Sequence, residues 1–443
     1  MIVYLCAESG TTQRLTAEGI MGYNLFKIVP VKKTANKKMN DFLSSLQGAV
    51  SKGEEITFAD NDIRYTLKLQ HDRIKAKGLD MDYQVYSRDD ERSDFIEGSS
   101  WRDPHYESIV AFRSCGVKRL VTRNGMKMFK DDRKSVLYET VTDVLTDSHP
   151  DNDTISCPNC GAISTIAGLQ NGCPYCGTTY KMDDLFPKVT AYYFLDDAGL
   201  STEEFKKSVL TSISICASVL FILNCIINHD QLANSIWMLL VFILGSAFAG
   251  AIMGYILFAY FLLGRAIYRI IQSSGKMGTA GSRKKFENRM RAFYPEFSFE
   301  YFTSKAISLI KTAIYSKDEK ELLFYKGEAL DPKMKDIIDL NYGGALGLER
   351  FSEENGIVTV VTTAFFDVLY ATDEKVKMKH EIFTAVFQRR IDMPVNFNFS
   401  MTRISCPTCG LSYDATRNKF CPGCGNEYEI ISDDWALVEL RYR

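Results

Sequence analysis

Histidine and tryptophan are scarce in this chain, which contains only 5 and 3 of them among 443 residues. Few imidazole groups are therefore available for acid–base catalysis. The sequence also lacks the phosphate-binding motif G-x-x-x-x-G-K-S/T, a G-x-G-x-x-G motif after a strand and the metalloprotease motif H-E-x-x-H. These absences predict a protein that is not an enzyme.

An excess of positive charge is also missing, because 53 Lys and Arg residues are balanced by 55 Asp and Glu residues. A formal net charge of −2 does not suit a chain that binds nucleic acid over its whole surface. With 46% hydrophobic and 24% charged residues, the composition is that of a folded protein. A local basic patch is still compatible with this balance, but the cysteine-flanked segment 410–420 contains only Arg417 and Lys419, too few for phosphate contacts. We therefore expect no nucleic-acid partner.

Two long stretches without charge decide the broad class of the protein. The first runs from Ser208 to Asn228, and the dense part of the second runs from Ile236 to Gly264. Each provides the roughly 20 apolar residues that a helix needs to cross a bilayer core. Buried helices of a soluble core are the alternative, although such helices seldom remain free of charge over this length. The sequence therefore predicts transmembrane helices at residues 208–228 and 236–264.

The charges that flank these stretches predict their orientation. Lys206 and Lys207 precede the first stretch and Arg265 and Arg269 follow the second, whereas the connecting residues 229–235 contain no Lys or Arg. Positively charged flanks remain on the cytoplasmic side of a membrane. We therefore expect a two-span protein of the cell membrane with both termini in the cytoplasm.

Small residues recur in the second stretch at a spacing of four, at Ser246, Gly250 and Gly254. This spacing allows the backbones of two helices to approach closely. The partner is either the first transmembrane helix of the same chain or the same face of a second copy, which would give a homodimer.

Eight of the 12 cysteines form two sets of paired C-x-x-C motifs, and each second cysteine is followed by glycine. The first set is Cys157, Cys160, Cys173 and Cys176, and the second set is Cys406, Cys409, Cys421 and Cys424. Four thiolates per set match the tetrahedral coordination of Zn²⁺ in a zinc ribbon, so we expect two structural zinc ions. Disulfides, a redox pair and an iron–sulfur cluster are the alternatives. The remaining Cys6, Cys115, Cys216 and Cys225 have no paired spacing and are interpreted as buried thiols.

The two cysteine sets also mark an internal repeat. The tetrapeptide I-S-C-P occurs at residues 155–158 and again at 404–407, and a strand-like run follows each set. Each ribbon is therefore predicted to lie in a hairpin of a larger domain, and the N-terminal domain is a candidate diverged copy of the C-terminal one. The expected fold class is α+β: two cytoplasmic α+β domains, each with an inserted zinc ribbon, joined by a two-helix transmembrane hairpin.

Residues 1–150 are expected to form the N-terminal α+β domain, followed by the first ribbon and a closing strand at 151–200. Alternating apolar residues predict strands at Asp62–His71 and Asp82–Tyr86, and apolar residues at helical spacing predict helices at Lys37–Val50 and Pro104–Val121. The type of fold that these elements form is left open.

Residues 292–443 are expected to form a cone-shaped α+β domain that contains the second ribbon at 404–428. Apolar residues at a spacing of three and four predict a helix that begins at Phe299, after the N-cap Ser298. Long strands follow, with a hairpin turn that contains Asn355 and Gly356. His380 lies in one of these strands and is interpreted as a buried core histidine, with a pocket residue as the alternative.

The opening helix of this domain (FSFEYFTSKAISLIKTAIYSKDEKEL), its order of long strands and its last strand, which begins at Trp435, resemble the mitochondrial inner-membrane import translocase subunit 44 family. The resemblance covers about a third of the chain and includes no catalytic motif. It implies a nuclear-transport-factor-2-like fold in a bacterial membrane protein with a role in protein transport or membrane assembly. The inserted ribbon and the two spans depart from the pattern of that family.

A basic segment, residues 265–291, links the second span to this domain and contains several Gly and Ser residues that predict flexibility. Each Lys or Arg side chain close to an anionic bilayer contributes about 1 kcal/mol to the binding of the protein to the membrane surface. The candidate lipid contacts are Arg283, Lys284, Lys285, Arg289 and Arg291. The sequence therefore predicts a non-enzymatic binding or scaffold protein that contacts anionic lipid and an unknown protein partner. The alternative is an enzyme or small-molecule binder that uses the C-terminal cavity.

Overall fold

The computed structural model describes residues 29–88, 95–102, 106–144, 154–181, 185–196, 202–228, 236–295, 297–391, 403–416, 418–432 and 434–443. Within these residues the chain forms two compact units. The hairpin unit contains residues 202–228 and 236–275, and the body contains the described residues of 29–196 and 276–443.

The first half of the body combines helices with an antiparallel sheet. Its elements are β1 (Val29–Pro30), α1 (Lys33–Lys52), α2 (Asn61–Ala76), β2 (Asp80–Ser87), β3 (Ile96–Arg102), β4 (Tyr106–Arg123) and β5 (Met126–Val144), then β6 (Thr154–Ser156), β7 (Ile163–Thr165) and α3 (Ile166–Asn171) in the first ribbon, and β8 (Lys188–Asp196). The sheet order is β1-β3-β4-β5-β8, and β2 also pairs with β4. Helix α1 and strand β2 confirm the predictions at Lys37–Val50 and Asp82–Tyr86.

Residues 62–71 lie in α2, so the strand predicted there is wrong. Ile63 and Leu67 belong to the core of the first half of the body, whereas Tyr65 and Leu69 pack against the core of the second half. The apolar alternation that indicated a strand therefore comes from a helix with apolar contacts on two sides.

Residues 106–121 lie in β4, so the helix predicted at Pro104–Val121 is also wrong. Strand β4 pairs with β5 from one end to the other. The turn between them contains Asn124 and Gly125, whose φ angles of 50° and 78° are those of a tight hairpin turn. This Asn-Gly pair is the sequence signal that favours two long strands over a helix.

The hairpin unit is formed by two apolar helices, α4 (Thr202–Ile227) and the first part of α5 (Ile236–Arg291). The segments Phe205–Ile227 and Leu239–Gly264 are long and apolar enough to cross a membrane, in agreement with the two predicted spans. Their side chains are mostly exposed, unlike those of a core helix in a soluble protein. The connecting residues 229–235 lie outside the described part of the chain.

The small-residue face of α5 packs against α4. A Cβ atom added to Gly250 would lie 2.4 Å from the Cα atom of Ala217, and one added to Gly254 would overlap the α4 backbone in the same way. On the same side, Asn224 Nδ2 donates a hydrogen bond to Ser246 Oγ at 3.1 Å. These three small residues therefore make contacts within one chain, and a homodimer through them stays a prediction.

The second half of the body is a helix packed on an antiparallel sheet, with the second ribbon before the last strand. Its elements are α6 (Phe299–Tyr315), β9 (Ile337–Glu354), β10 (Ile357–Ala371), β11 (Val376–Arg390), β12 (Arg403–Ser405) and β13 (Ser412–Asp414) in the ribbon, and β14 (Ala436–Tyr442). The sheet order is β14-β11-β10-β9. The backbone N–H of Tyr301 donates to Ser298 Oγ at 3.2 Å, which confirms the predicted N-cap. Asn355 and Gly356 form the predicted turn, with φ angles of 53° and 74°.

The two halves of the body repeat the same order of elements. In the first half, α2 precedes the long hairpin β4-β5, the ribbon and the closing strand β8, which pairs with β5. In the second half, α6 precedes the hairpin β10-β11, the ribbon and β14, which pairs with β11. In the first half, two short strands, β2 and β3, pair with successive parts of β4. The single long strand β9 takes the equivalent place beside β10 in the second half. This shared topology supports the interpretation of the first half as a diverged copy of the second.

The two halves pack against each other, so the predicted domains 1–150 and 292–443 contribute to one compact body. Arg119 on β4 is only 1% exposed, and its Nη1 atom donates to Asp339 Oδ2 on β9 at 2.7 Å. Gln70 on α2 donates to Asp339 Oδ1 at 2.9 Å. A buried charge is tolerated only where its partner is in place, so these contacts require both halves.

Residues 276–291 continue α5 as a helix, so the flexible segment predicted at 265–291 is wrong. Phe286 and Met290, which are one turn apart, are buried in the core of the second half. Ser282 Oγ accepts a hydrogen bond from the backbone N–H of Leu348 at 3.0 Å. Burial of one apolar face therefore outweighs the low helix propensity of the neighbouring glycines.

We predict that Gly250→Leu will destabilise the hairpin unit by about 1–3 kcal/mol, because the larger side chain would overlap the backbone of α4. The measurement is unfolding of the detergent-solubilised protein by added SDS, followed by far-ultraviolet circular dichroism. Gly245→Leu is the matched control, since no heavy atom lies within 4 Å of the Cβ position at Gly245. Equal unfolding midpoints for the two variants would contradict close packing at Gly250.

Candidate metal centres

Each C-x-x-C motif folds into the same tight turn. In all four turns, the backbone N–H of the glycine after the second cysteine donates to the carbonyl oxygen of the first cysteine at 2.8 Å. The φ angles of these glycines are between 70° and 75°, a region that other residues rarely adopt. The glycines are Gly161, Gly177, Gly410 and Gly425. The turn therefore depends on glycine at this position, and it directs both thiols of a motif to the same point.

In the first ribbon, two such turns bring four sulfur atoms together. Cys157 Sγ lies 3.8 Å from Cys176 Sγ, and Cys160 Sγ lies 3.7 Å from Cys173 Sγ. A tetrahedral metal site with metal–sulfur bonds of about 2.3 Å has sulfur–sulfur distances of about 3.8 Å. The spacing of the four thiols therefore fits one metal ion.

The second ribbon repeats this geometry. Cys406 Sγ lies 3.5 Å from Cys424 Sγ, and Cys409 Sγ lies 3.6 Å from Cys421 Sγ. These distances are far longer than the bond of about 2.05 Å in a disulfide, and all eight thiols are free. Four sulfur donors per site leave no open coordination position, which is typical of structural and not of catalytic metal sites.

The first ribbon is attached to the body through the beginning of α2. Asn61 Nδ2 donates to the carbonyl oxygen of Cys157 at 3.2 Å, and Arg64 donates to the carbonyl oxygen of Pro158. Arg64 is itself held by Glu55 at 2.8 Å. The apolar residues of this ribbon form a small cluster that is separate from the two larger cores. Hydrogen bonds from one helix end therefore position the first metal site.

The second ribbon is part of the main core of the second half of the body. Cys406 and Cys421 belong to the same buried cluster as Trp435, whereas Cys409 and Cys424 are exposed. Strand β12 of this ribbon lies beside β7 of the first ribbon. The two candidate metal sites are therefore neighbours on the same part of the body.

The prediction of His380 as a core histidine is wrong. Its side chain is 66% exposed, and its Nδ1 atom lies 2.6 Å from Asp367 Oδ1. Asp367 is buried and also pairs with Arg133 at 3.3 Å. Val376, the first residue of β11, is buried, but residues 377–380 are exposed and burial resumes at Phe383, so His380 lies in the exposed part of the strand.

The cysteines outside the two sets do not join either sulfur cluster within the described residues. Cys115 and Cys216 are buried, as predicted, whereas Cys225 is only half-buried. Cys6 lies outside the described part of the chain.

Among the candidate lipid contacts, Arg283 has partners within the body. It pairs with Glu287 at 3.2 Å and with Glu300 at 2.5 Å, and its guanidinium group lies 4.7 Å from the ring centre of Phe299. These contacts connect α5 to the beginning of α6. Arg283 therefore stabilises the body, and its predicted contact with lipid stays a prediction.

The other four candidates divide into two pairs. Arg289 lies over the ring of Phe351 at 5.4 Å, and Arg291 donates from Nε to a backbone carbonyl at 3.4 Å. Lys284 and Lys285 are exposed and form no ion pair with any described residue. Arg289 and Arg291 are exposed as well, but the two lysines are the candidates without a contact to another described group.

Comparison of this chain with known proteins finds no match among family models, curated proteins or solved structures. The resemblance of residues 290–443 to the translocase family is not tested by these comparisons and stays a prediction.

We predict two metal ions per chain in the purified protein and one in Cys421→Ser, because each ion needs all four sulfur atoms of its set. Elemental analysis measures the ratio. The variant should also unfold at a lower temperature, since Cys421 lies in the main core of the second half. Cys225→Ser removes a thiol outside both sets and should keep both ions. An unchanged ratio in Cys421→Ser would rule out the second site.

Proposed function

We propose that this protein is a membrane-anchored scaffold that binds a protein partner through its two ribbons and has no catalytic activity. The supporting observation is the exposure of large apolar side chains on the ribbons. Tyr175 is 50% exposed, Leu411 is 40% exposed and Phe420 is 58% exposed. Exposed apolar and aromatic residues that lie close together are typical of protein-interaction sites.

The arrangement of the ribbons favours a single interface. Strands β7 and β12 lie side by side, so the two ribbons present neighbouring surfaces. Tyr175 lies within a C-x-x-C turn of the first ribbon, and Phe420 directly precedes Cys421 in the second. A metal ion at each cluster would hold these turns rigid. Rigid side chains lose little conformational entropy on binding, which favours affinity.

An enzyme or small-molecule binder that uses the interior of the second half is the alternative function. That interior is filled by Phe302, Phe366, Phe387 and Trp435, each at most 2% exposed. The rings of Phe302 and Trp435 pack edge to face with centroids 4.8 Å apart. A closed apolar interior supports a scaffold over a protein with a substrate cavity at this place.

Zinc is the proposed metal at both clusters. Four thiolates in a tetrahedron suit Zn²⁺, and the paired turns are those of a zinc ribbon. An iron–sulfur cluster is the alternative that uses the same donors. Elemental analysis that finds iron in place of zinc would contradict the proposal.

The proposed location is the cytoplasmic side of the cell membrane, with both termini on that side. Lys284 and Lys285 would then contact anionic lipid, because they follow the second span and are exposed. This location suits a role in protein transport or membrane assembly, which the resemblance to the translocase family implies.

We predict that the body binds vesicles that contain phosphatidylserine and that it dissociates as the salt concentration rises, because screening weakens each cation–lipid contact of about 1 kcal/mol. The test uses co-sedimentation of the body, with residues 198–275 replaced by a flexible linker. The Lys284→Glu/Lys285→Glu variant should bind more weakly than the Lys375→Glu/Lys377→Glu variant, which changes the charge equally at another surface. Equal binding by both variants, or equal binding to neutral vesicles, would show that the basic segment sets only the topology.

We predict that a photo-crosslinking amino acid at Tyr175 or at Phe420 will capture the same protein partner in cells, because the two ribbons present one interface. The measurement is a mass shift of the full-length chain after irradiation. Met126 provides the control position, since it is 66% exposed but lies at the opposite end of β5 from the first ribbon. Equal capture from Met126, or no capture from either ribbon, would contradict the proposed interface.

A further inference from the structure

Two small cavities lie side by side in the body, where α2 and α6 meet the inner face of β5 and β8. They have volumes of about 40 Å³ and about 50 Å³, and both are lined by Thr190, Ser304 and Ser308. A water-sized group needs about 10–15 Å³, so each cavity has room for about three or four such groups. We call these two neighbouring cavities together the interhelical crevice. Its size suits a small molecule of a few atoms.

Hydroxyl groups line one part of the interhelical crevice. Thr142 Oγ1 lies 2.9 Å from Ser108 Oγ and 3.4 Å from Thr190 Oγ1. Thr140 Oγ1 lies 3.4 Å from Ser304 Oγ. A hydroxyl group both donates and accepts hydrogen bonds, so it can turn from a neighbouring hydroxyl to a ligand oxygen. This part of the crevice therefore favours a ligand that contains oxygen.

Lys305 lies in the cavity that these hydroxyl groups line, and its charge is balanced. Its Nζ atom lies 2.8 Å from Asp434 Oδ2 and 3.7 Å from Asp62 Oδ2. Burial acts to lower the pKa of the Lys305 ammonium group, but the carboxylate of Asp434, with a smaller effect from Asp62, outweighs burial and raises it. An anion therefore gains little from contact with Lys305.

Lys311 lies in the other cavity and has no such carboxylate partner. It contacts the ring of Tyr192 at 5.5 Å, and it forms no ion pair or hydrogen bond with the described residues. Burial lowers the pKa of its ammonium group to about 8, although the carboxylate of Asp339 acts in the opposite direction. The group is therefore mostly protonated at neutral pH. A half-buried charge without an adjacent counter-ion is destabilising unless an external anion pairs with it.

We propose that the interhelical crevice binds a small monocarboxylate whose carboxylate group pairs with Lys311. Lys311 carries one positive charge, and Asp60 and Asp62 line the neighbouring cavity, so a singly charged carboxylate is favoured over a phosphate dianion, which these two carboxylates would repel more strongly. The same cavity is lined by Ile63, Leu67 and Ile307, which provide an apolar surface for a short carbon chain. The two volumes together hold about six to eight water-sized groups, so butyrate, which has six non-hydrogen atoms, fits the crevice. Since α2, α6 and β8 all line the crevice, the ligand contacts both halves of the body.

The test is isothermal titration calorimetry of the full-length protein in detergent, with butyrate as the probe and a buffer free of carboxylates. The wild-type protein should bind butyrate, and Lys311→Met should bind it at least about tenfold more weakly, or by about 1.4 kcal/mol. Lys377→Met removes an exposed lysine of β11 and should bind as the wild type does. Thermal melting of each variant establishes that it is folded.

The length of the carboxylate and the choice of anion provide further outcomes. Octanoate should bind more weakly than butyrate, because its chain exceeds the volume of the crevice. Equal binding of butyrate by Lys311→Met, or no binding by the wild type, would overturn the proposal. Tighter binding of inorganic phosphate than of butyrate would overturn the assignment of a monocarboxylate. If Lys311→Met does not fold, Ile307→Phe takes its place: lost binding supports the proposal, and unchanged binding overturns it.

Discussion

Helix α2 holds the body together because it contributes to two hydrophobic cores at the same time. Ile63 and Leu67 lie in the core of the first half, and Tyr65 and Leu69 pack against the core of the second. Neither half can therefore move away from the other without exposing apolar surface, which costs about 25 cal/mol for each Å². The hydrophobic attraction is not specific for one orientation, but the buried hydrogen bonds from Gln70 on α2 and Arg119 on β4 to Asp339 are. They require one alignment of the halves, since any other would leave a buried charge unpaired.

The two ribbons lie at equivalent points of the two halves, each between the second strand of a long hairpin and the strand that closes the sheet. Such a long connection loses conformational entropy when the closing strand pairs. A metal ion bound by the four cysteines of each connection would reduce this loss and would keep β8 and β14 in place. The second ribbon shows the coupling directly, because Cys406, Cys421 and Trp435 share one core with the closing strand.

The hairpin unit interrupts the chain between two halves that pack against each other. Its two helices are long and apolar enough to cross a membrane, and two crossings would return the chain to the side from which it started, as a body formed from residues on both sides of the insertion requires. The body presents exposed apolar residues at the ribbons and two lysines, Lys284 and Lys285, that form no ion pair within the described part of the chain, while the interior of its second half is closed. These features favour binding at the surface over chemistry in the interior of that half.

Local features of the sequence determined the parts of this protein that depend on neighbouring residues. The C-x-x-C-G turns, the Ser298 cap, the Asn355-Gly356 turn and the two apolar helices were all predictable, because a few adjacent residues are sufficient to specify each. Only the tertiary structure decided the nature of α2, the helical course of residues 276–291 and the partners of Arg283 and Lys311. The physical reason is that each of these features depends on groups that are distant in sequence. Helix α2 contacts the second core, and residues 276–291 are helical because Phe286 is buried in that core. Glu300 pairs with Arg283, whereas no carboxylate of the described residues pairs with Lys311.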